Sequence, residues 1–411
     1  MARDLEALRV DRRGSVRPGG SGVAWLVYDD AGNAIGPVAQ FLRDFAARGN
    51  SAGSVRSYAY GLLRWWRWLD AVGPEWDRAT PAEVRDLTLW LQLHPKPRRS
   101  PRTGSTSTAG TVNEMTGKRY LDDHYAARTI RHNSAVISSF YEFFGDQGLG
   151  PVVNPVARDH RGQGRSNAHH NPMERFRPEG RVRYNPKVPR RRPRALDDDA
   201  WGALFDALGS NRDRALLALA VSNGARAAEV LGLRGSDVDW GNQQVLVIRK
   251  GSRAEQWLPG SNESFVWLRL YVAEVGDIGP ADPLWVTLRK RRSADGSMSR
   301  IPLTYEALRA VLRRANQKLG TNWSMHDLRH TCALRMAADD GVSLRDVQTI
   351  LGHAHLETTA EIYLVEDERH TVERVAEHLA RLAEPKPKPA PVDRGYRPSD
   401  LAVLFGDGTV S

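Results

Sequence analysis

One cysteine, Cys332, stands in 411 residues. No disulfide can form within the chain, and no cysteine-based zinc cluster either. That scarcity fits a reducing cytoplasm, the expected location. No apolar run is long enough to cross a bilayer, and Met1 to Val10 lacks a signal-peptide core, so no membrane contact is expected. There is no Walker loop and no carboxylate cluster for two-metal chemistry. His353 and His355 have no acidic or cysteine partner at helpful spacing. Neither a metal nor any other cofactor is expected.

Acidic residues are the remaining shortage. The chain has 49 Asp and Glu against 59 Lys and Arg, a formal charge of +10. The excess is local: between Ala157 and Arg194, twelve Arg or Lys stand against three Asp or Glu. Such a segment suits a polyanion. Most of its cations are arginines, which grip phosphate with a two-pronged fork where lysine acts as a point charge. Arg183, Lys187, Arg190, Arg191, Arg192 and Arg194 are the candidate contacts.

What is present is a soluble globular composition, 41% hydrophobic, with length enough for two or three domains. Residues 1–35 show little periodicity and predict a flexible or partly strand-like arm. Val38, Phe41, Leu42 and Phe45 then repeat at helical spacing, as do Val55, Tyr58, Leu62, Trp65 and Leu69. Thr80-Pro81-Ala82-Glu83 is a capping box that opens a helix with Val84, Leu87 and Leu91. Residues 93–124 predict a long loop. Ile130, Ala135, Ile137, Phe140, Tyr141 and Phe144 mark a further helix. The basic stretch 151–194 cannot bury a core and predicts an extended linker.

A second domain starts near Ala195. Helices are predicted around Trp201 to Leu208, Leu216 to Val221, and near 262–275, 304–319, 325–338 and 344–351. Residues 243–249 run through Lys250-Gly251 to Gln256-Trp257-Leu258, which predicts a β-hairpin with Lys250 at its turn. Val372, Val375, Leu379 and Leu382 share one helical face. The tail from Pro385 is Pro-rich.

Single residues in this half have ordinary readings. Arg226 and Glu229 make a common surface pair, worth at most about 1 kcal/mol. Lys250 is a solvated turn lysine. His326 and His330 decorate an amphipathic helix, and His353 caps the end of another. Tyr363 is a core or interface tyrosine. Two features point further. Ser324 and Asp327 form a capping box, which puts His326 and Arg329 in a first helical turn where N–H groups favour phosphate. The set as a whole also suits one job: two arginines, a lysine, two histidines and a tyrosine can hold a phosphodiester while a phenolic oxygen attacks it.

The stretches Gly224-Ala225-Arg226-Ala227-Ala228-Glu229, Arg249-Lys250-Gly251, His326-Asp327-Leu328-Arg329-His330, Leu351-Gly352-His353 and Thr358 to Tyr363, in this order, resemble the tyrosine recombinase (phage integrase) family. The resemblance covers roughly 195–383, and the helical part also looks like that family's core-binding domain. It implies a mainly α fold with a small β-hairpin or sheet, arranged as a two-domain DNA clamp. The parts would be an N-terminal arm (1–35), a helical, SAM-like core-binding domain (36–156), a basic linker (157–194), a mixed α/β catalytic domain (195–383) and a flexible tail (384–411).

The resemblance further implies a site-specific DNA recombinase working through a 3′-phosphotyrosine intermediate on double-stranded DNA. The enzyme would be a homotetramer on paired sites and a monomer or dimer off DNA. Arg226 and Arg329 would clamp the scissile phosphate and Glu229 would support them. His326 would take a proton, Lys250 would protonate the leaving 5′ oxygen, His353 would bond the phosphate and Tyr363 would be the nucleophile. Tyr363 follows His353 by ten positions, one more than the family spacing, so residues 354–357 are expected to absorb an insertion. Two alternatives are a type IB topoisomerase-like enzyme with the same chemistry, and a non-catalytic DNA-binding accessory protein. The six intact polar residues speak against the last.

Overall fold

The computed structural model describes residues 3–20, 22–97, 108–159, 181–188, 194–249, 251–292, 297–339 and 341–352. The chain divides into two compact units, Met1–Arg191 and Arg192–Ser411.

The first unit is helical. Pro37 lies in the first turn of α1 (Gly36–Ala47), where its missing N–H costs nothing, and Val38, Phe41, Leu42 and Phe45 turn inward. Ser51 caps α2 (Ala52–Val72) by accepting from the Ser54 N–H, and Gly73 ends it at φ 98°. Thr80 and Glu83 form the expected capping box of α3 (Pro81–Leu93). In α4 (Ala127–Asp146), Val136 rather than Ala135 supplies the buried position next to Ile137. Trp65 Nε1 donates to the Tyr141 hydroxyl at 3.0 Å, and that hydroxyl donates to the Trp76 carbonyl at 2.7 Å. Two polar groups thereby enter an apolar core without losing a partner.

Residues 3–35 are partly strand, as expected, but they are packed into the first unit and are not a free arm. β1 (Ser15–Pro18) and β2 (Trp25–Tyr28) pair antiparallel, with Val16 opposite Val27. Val23, Leu26 and Val27 are buried in the same core as the helices, and Leu5, Leu8 and Val10 pack against it. Arg3 reaches Glu83 at 2.6 Å and Asp86 at 2.7 Å. Strands of four residues show too little alternation to be bounded from sequence, and the helices they pack on lie further along the chain.

Part of the basic segment also belongs here. β3 (Arg158–Asp159) pairs with β4 (Arg181–Val182), Val182 and Tyr184 pack on the core, and Arg131 Nε donates to the Pro186 carbonyl at 2.8 Å. Residues 181–188 are thus attached, not a free extended path. Arg183 and Lys187 are exposed on this piece.

The second unit is a helical body with one small sheet. α5 (Asp198–Asp206) precedes α6 (Asn211–Asn223), which is buried on nearly every side. α7 (Ala227–Leu231) is a short helix after the turn at Gly224. β5 (Val238–Asp239), β6 (Gln244–Ile248) and β7 (Glu255–Pro259) form an antiparallel sheet in that order. Val245 pairs with Leu258 and Val247 with Gln256. Val245, Val247 and Leu258 point into the core, as strand alternation requires. α8 (Asn262–Val275), α9 (Tyr305–Leu319), α10 (Met325–Ala337) and α11 (Leu344–Leu351) complete the unit. Among the described residues no helix is long and apolar enough to cross a membrane.

Candidate active site

Three turns bring the site together. The first ends α6. Asn223 Oδ1 accepts from the Ala225 N–H, and Gly224 takes φ 64°, so the chain reverses in two residues and presents Arg226. A Cβ on Gly224 would lie 2.7 Å from Leu351 Cδ2, so glycine lets the ends of α6 and α11 meet. Arg226 then opens α7. Its backbone N–H donates to Glu229 Oε2 at 2.9 Å, and its Nη1 donates to Glu229 Oε1 at 2.9 Å. The pair is not the surface pair that its spacing alone suggests, because the Glu229 side chain is only 1% exposed.

The second turn opens α10. Ser324 and Asp327 form the expected capping box, with the Ser324 hydroxyl donating to Asp327 Oδ2 at 2.6 Å. Leu328 and Cys332 face the core, as their spacing predicts. Arg329 is also buried. Its Nη1 donates to the Gly224 carbonyl and its Nη2 to the Leu351 carbonyl, both at 2.6 Å. Each of those nitrogens carries a second hydrogen. Burial first, and then the charge of Arg226, pulls the Arg329 guanidinium down to about 10, with Glu229 opposing and Arg249 adding to the repulsion. Such a spot gains from receiving an anion. His326 lies one turn earlier, is exposed, and stacks edge-on to His330 at 4.3 Å between ring centroids.

The third turn ends α11, where Gly352 takes φ 61°. The last carbonyls of a helix have no partner within it. Here three consecutive ones are met by side chains from elsewhere. Gln256 Nε2 donates to Thr349 O at 2.9 Å, Arg249 Nη2 donates to Ile350 O, and Arg329 Nη2 to Leu351 O. The positive groups lie at the negative end of the helix, the favourable sign.

Arg249 is the residue that spacing did not single out. Its side chain is 5% exposed and its Nη1 reaches Glu229 Oε2 at 3.1 Å. Its Nε donates to Gln256 Oε1 at 2.7 Å. Burial pushes its pKa below the ordinary value, with Glu229 opposing and Arg226 adding to the fall. A signal existed: in 245–249 every second residue points inward, and Arg249 holds an inward place.

The structure therefore brings Arg226, Glu229 and Arg329 together and sets His326 on the same helix as Arg329. Arg194 is half-buried at the start of the unit. Lys250, His353, Tyr363, Arg190, Arg191 and Arg192 lie outside the described residues. So do residues 354–383, with the predicted amphipathic helix. The one group of metal-ligand types found among the described residues is Asp122, Asp123 and His124, exposed or half-buried in the first unit. His124 there bonds Asp123 at 2.8 Å, and Lys96 bonds the Asp122 carbonyl.

Known proteins resemble this chain in sequence and in fold. The sequence profile of the phage integrase family matches residues 194–370, and that of the phage integrase N-terminal SAM-like domain matches 38–106. Transposase A from transposon Tn554 of Staphylococcus aureus is 24% identical over 353 residues, 83% of this chain and 90% of that protein. Tyrosine recombinase XerA of Thermococcus kodakarensis is 30% identical over 202 residues, 48% of this chain and 67% of that protein. In fold, the chain is similar to the XerH site-specific recombinase bound to its palindromic difH substrate. The TM-score is 0.52 at 16% identity, covering 80% of this chain and 81% of that one. The Tn1549 transposon integrase gives a TM-score of 0.51 at 14% identity, covering 82% and 98%. The chain belongs to the phage integrase family and is a tyrosine-type site-specific recombinase.

Proposed function

We propose that the protein cuts and rejoins double-stranded DNA by attack of the Tyr363 phenol on a backbone phosphate. The observation that carries this reading is the shared seat of Arg226 and Arg329. Arg329 bonds the Gly224 carbonyl two residues before Arg226, and burial first, then repulsion from Arg226, lowers the Arg329 pKa. A phosphodiester relieves that repulsion, and a pentacoordinate transition state, with one more negative charge, relieves it further. Preorganised donors of this kind are worth about 3–4 kcal/mol each.

A free tyrosine, with a pKa near 10, is a weak nucleophile at neutral pH, roughly a thousandfold short of full ionisation. His326 takes its proton as the phenolic oxygen bonds to phosphorus. The bond from phosphorus to the 5′ oxygen breaks, and Lys250 supplies the proton that this oxygen needs. His353 bonds a phosphate oxygen. The products are a 3′-phosphotyrosine and a free 5′-hydroxyl, and the ester keeps the energy of the broken bond. A second 5′-hydroxyl reverses the step onto another strand.

Exchange between two duplexes requires four strand cuts, so the assembly on DNA is read as a tetramer. The long match to a transposase favours movement of a mobile element as the biological role. Arg183, Lys187 and Arg194, with Arg190 to Arg192, would hold the DNA backbone and make binding steeply salt-dependent.

A nicked substrate that traps the covalent adduct tests the reading. Wild-type protein should form an adduct visible as a shifted band on a denaturing gel. Tyr363→Phe should bind DNA and form none, and Arg329→Ala should also form none. A normal adduct yield from the Phe variant rejects Tyr363 as the nucleophile.

A further inference from the structure

We propose that Arg249 is a positioning residue of the strand-transfer reaction, locking Arg226, the Lys250 hairpin and the end of α11 into one frame. The proposal rests on the residue roles given above. It starts from an oddity: a nearly buried arginine just past the end of β6, continuing its inward alternation, one residue before the proposed acid.

Its guanidinium is spent inward. Nη1 bonds Glu229, whose other oxygen holds Nη1 of Arg226. Moving Arg249 therefore shifts the carboxylate that aims the phosphate clamp. Nη2 bonds the Ile350 carbonyl, beside the carbonyl that Arg329 holds, so the same side chain fixes the segment that runs into Gly352 and His353. Nε bonds Gln256, which sits across the hairpin and itself binds Thr349. The backbone closes the hairpin at the same residue: the Arg249 N–H donates to Ala254 O at 2.9 Å, and Arg249 O accepts from the Arg253 N–H at 3.1 Å. The fit is tight. A Cβ on Gly352 would lie 2.9 Å from Arg249 Nε and 3.1 Å from its Cζ.

A lysine has one nitrogen where this arginine uses three, in three directions. The fork is needed, not the charge alone. Because the fork bonds protein groups in every direction, its role differs from that of Arg226, which keeps a 31% exposed side chain.

The test uses full-length protein, with Arg249→Gln and Arg249→Lys. Three quantities are measured: affinity for the nicked substrate, single-turnover cleavage at saturating DNA, and the same cleavage with sulfur replacing the leaving 5′ oxygen. Sulfur leaves without a proton and removes the need for a placed acid. Both variants should bind DNA within threefold of wild type and cleave the oxygen substrate about 100-fold more slowly. On the sulfur substrate much of the deficit should vanish. Cleavage within threefold of wild type by either variant overturns the proposal. So does lost affinity with full cleavage at saturation, which would make Arg249 a DNA contact. An equal deficit on both substrates also overturns it, because a frame that places Lys250 must show in the leaving group. If the Gln variant melts below the assay temperature, the Lys variant decides. Wild-type protein and Tyr363→Phe run alongside: no Tyr363-dependent adduct in wild type refutes the residue roles themselves, a different result from any produced by Arg249.

Discussion

Replacing Glu229 with alanine removes the carboxylate that bonds both Arg226 and Arg249. The two arginines contribute unequally to the cost. Arg226 is 31% exposed, so water screens its loss; Arg249 is 5% exposed, and without Glu229 its charge faces other guanidiniums in a dry setting. Breaking one side of a buried ion pair costs about 3–5 kcal/mol. For a unit of this size each kcal/mol lowers the melting temperature by about 2–4 °C, so a fall of roughly 6–20 °C is expected. Calorimetry of the full chain reads it in the transition that belongs to the second unit. The double variant Glu229→Ala, Arg249→Met leaves no buried arginine without its carboxylate and should recover most of the loss. Two results refute the reasoning: a single variant that melts within about 2 °C of wild type, or a double variant worse than either single one.

In the first unit, Arg3→Ala should lower stability at pH 7 by about 1–2 kcal/mol, measured by denaturant unfolding, because it removes one charged bond from each of two nearly buried carboxylates. Burial opposes the Glu83 charge, but bonds from Thr80 and Arg3 outweigh it and hold the carboxyl below its usual value; at Asp86 burial is likewise outweighed by Arg85 and Arg3. Both folded pKa values are depressed. Their stability is therefore present above the ordinary values of 4.5 and 3.8 and is lost as pH falls through the folded ones. The wild type should weaken over that acid range more than Arg3→Ala does. Cys332 should resist alkylation in native protein and react at once in denaturant, since burial pushes its thiol up to about 12. Native labelling at the rate of a free thiol would refute its placement.

Much of the second unit was legible in the sequence, and the reason is local. Capping boxes at Ser324 and Ser343 mark helix starts with side chains three residues apart, and the hairpin shows as β-branched residues before a glycine turn and Trp257-Leu258 after it. Arg226 and Arg329 were legible as residues, but the burial of Arg329 was not. Spacing gives a partner at three positions, as with Glu229, but cannot show that Arg249 arrives from twenty positions away to close the pair. The attachment of residues 3–35 to the first unit was hidden for the same cause. Arg3 meets Glu83 and Asp86 across some eighty positions, and nothing near Arg3 announces it. Long-range ion pairs leave no periodic trace.

The glycine that ends α11 is a mooring post. With three carbonyls before it made fast, the polypeptide beyond Gly352 pays out from a stationary origin. Tyr363 stands eleven positions further on. A stretched chain covers at most about 3.3–3.6 Å per residue, which gives a leash of roughly 36–40 Å. Arg329, bonded to the Leu351 carbonyl beside that origin, lies well inside the radius, so chain length alone does not keep the phenol from its own centre.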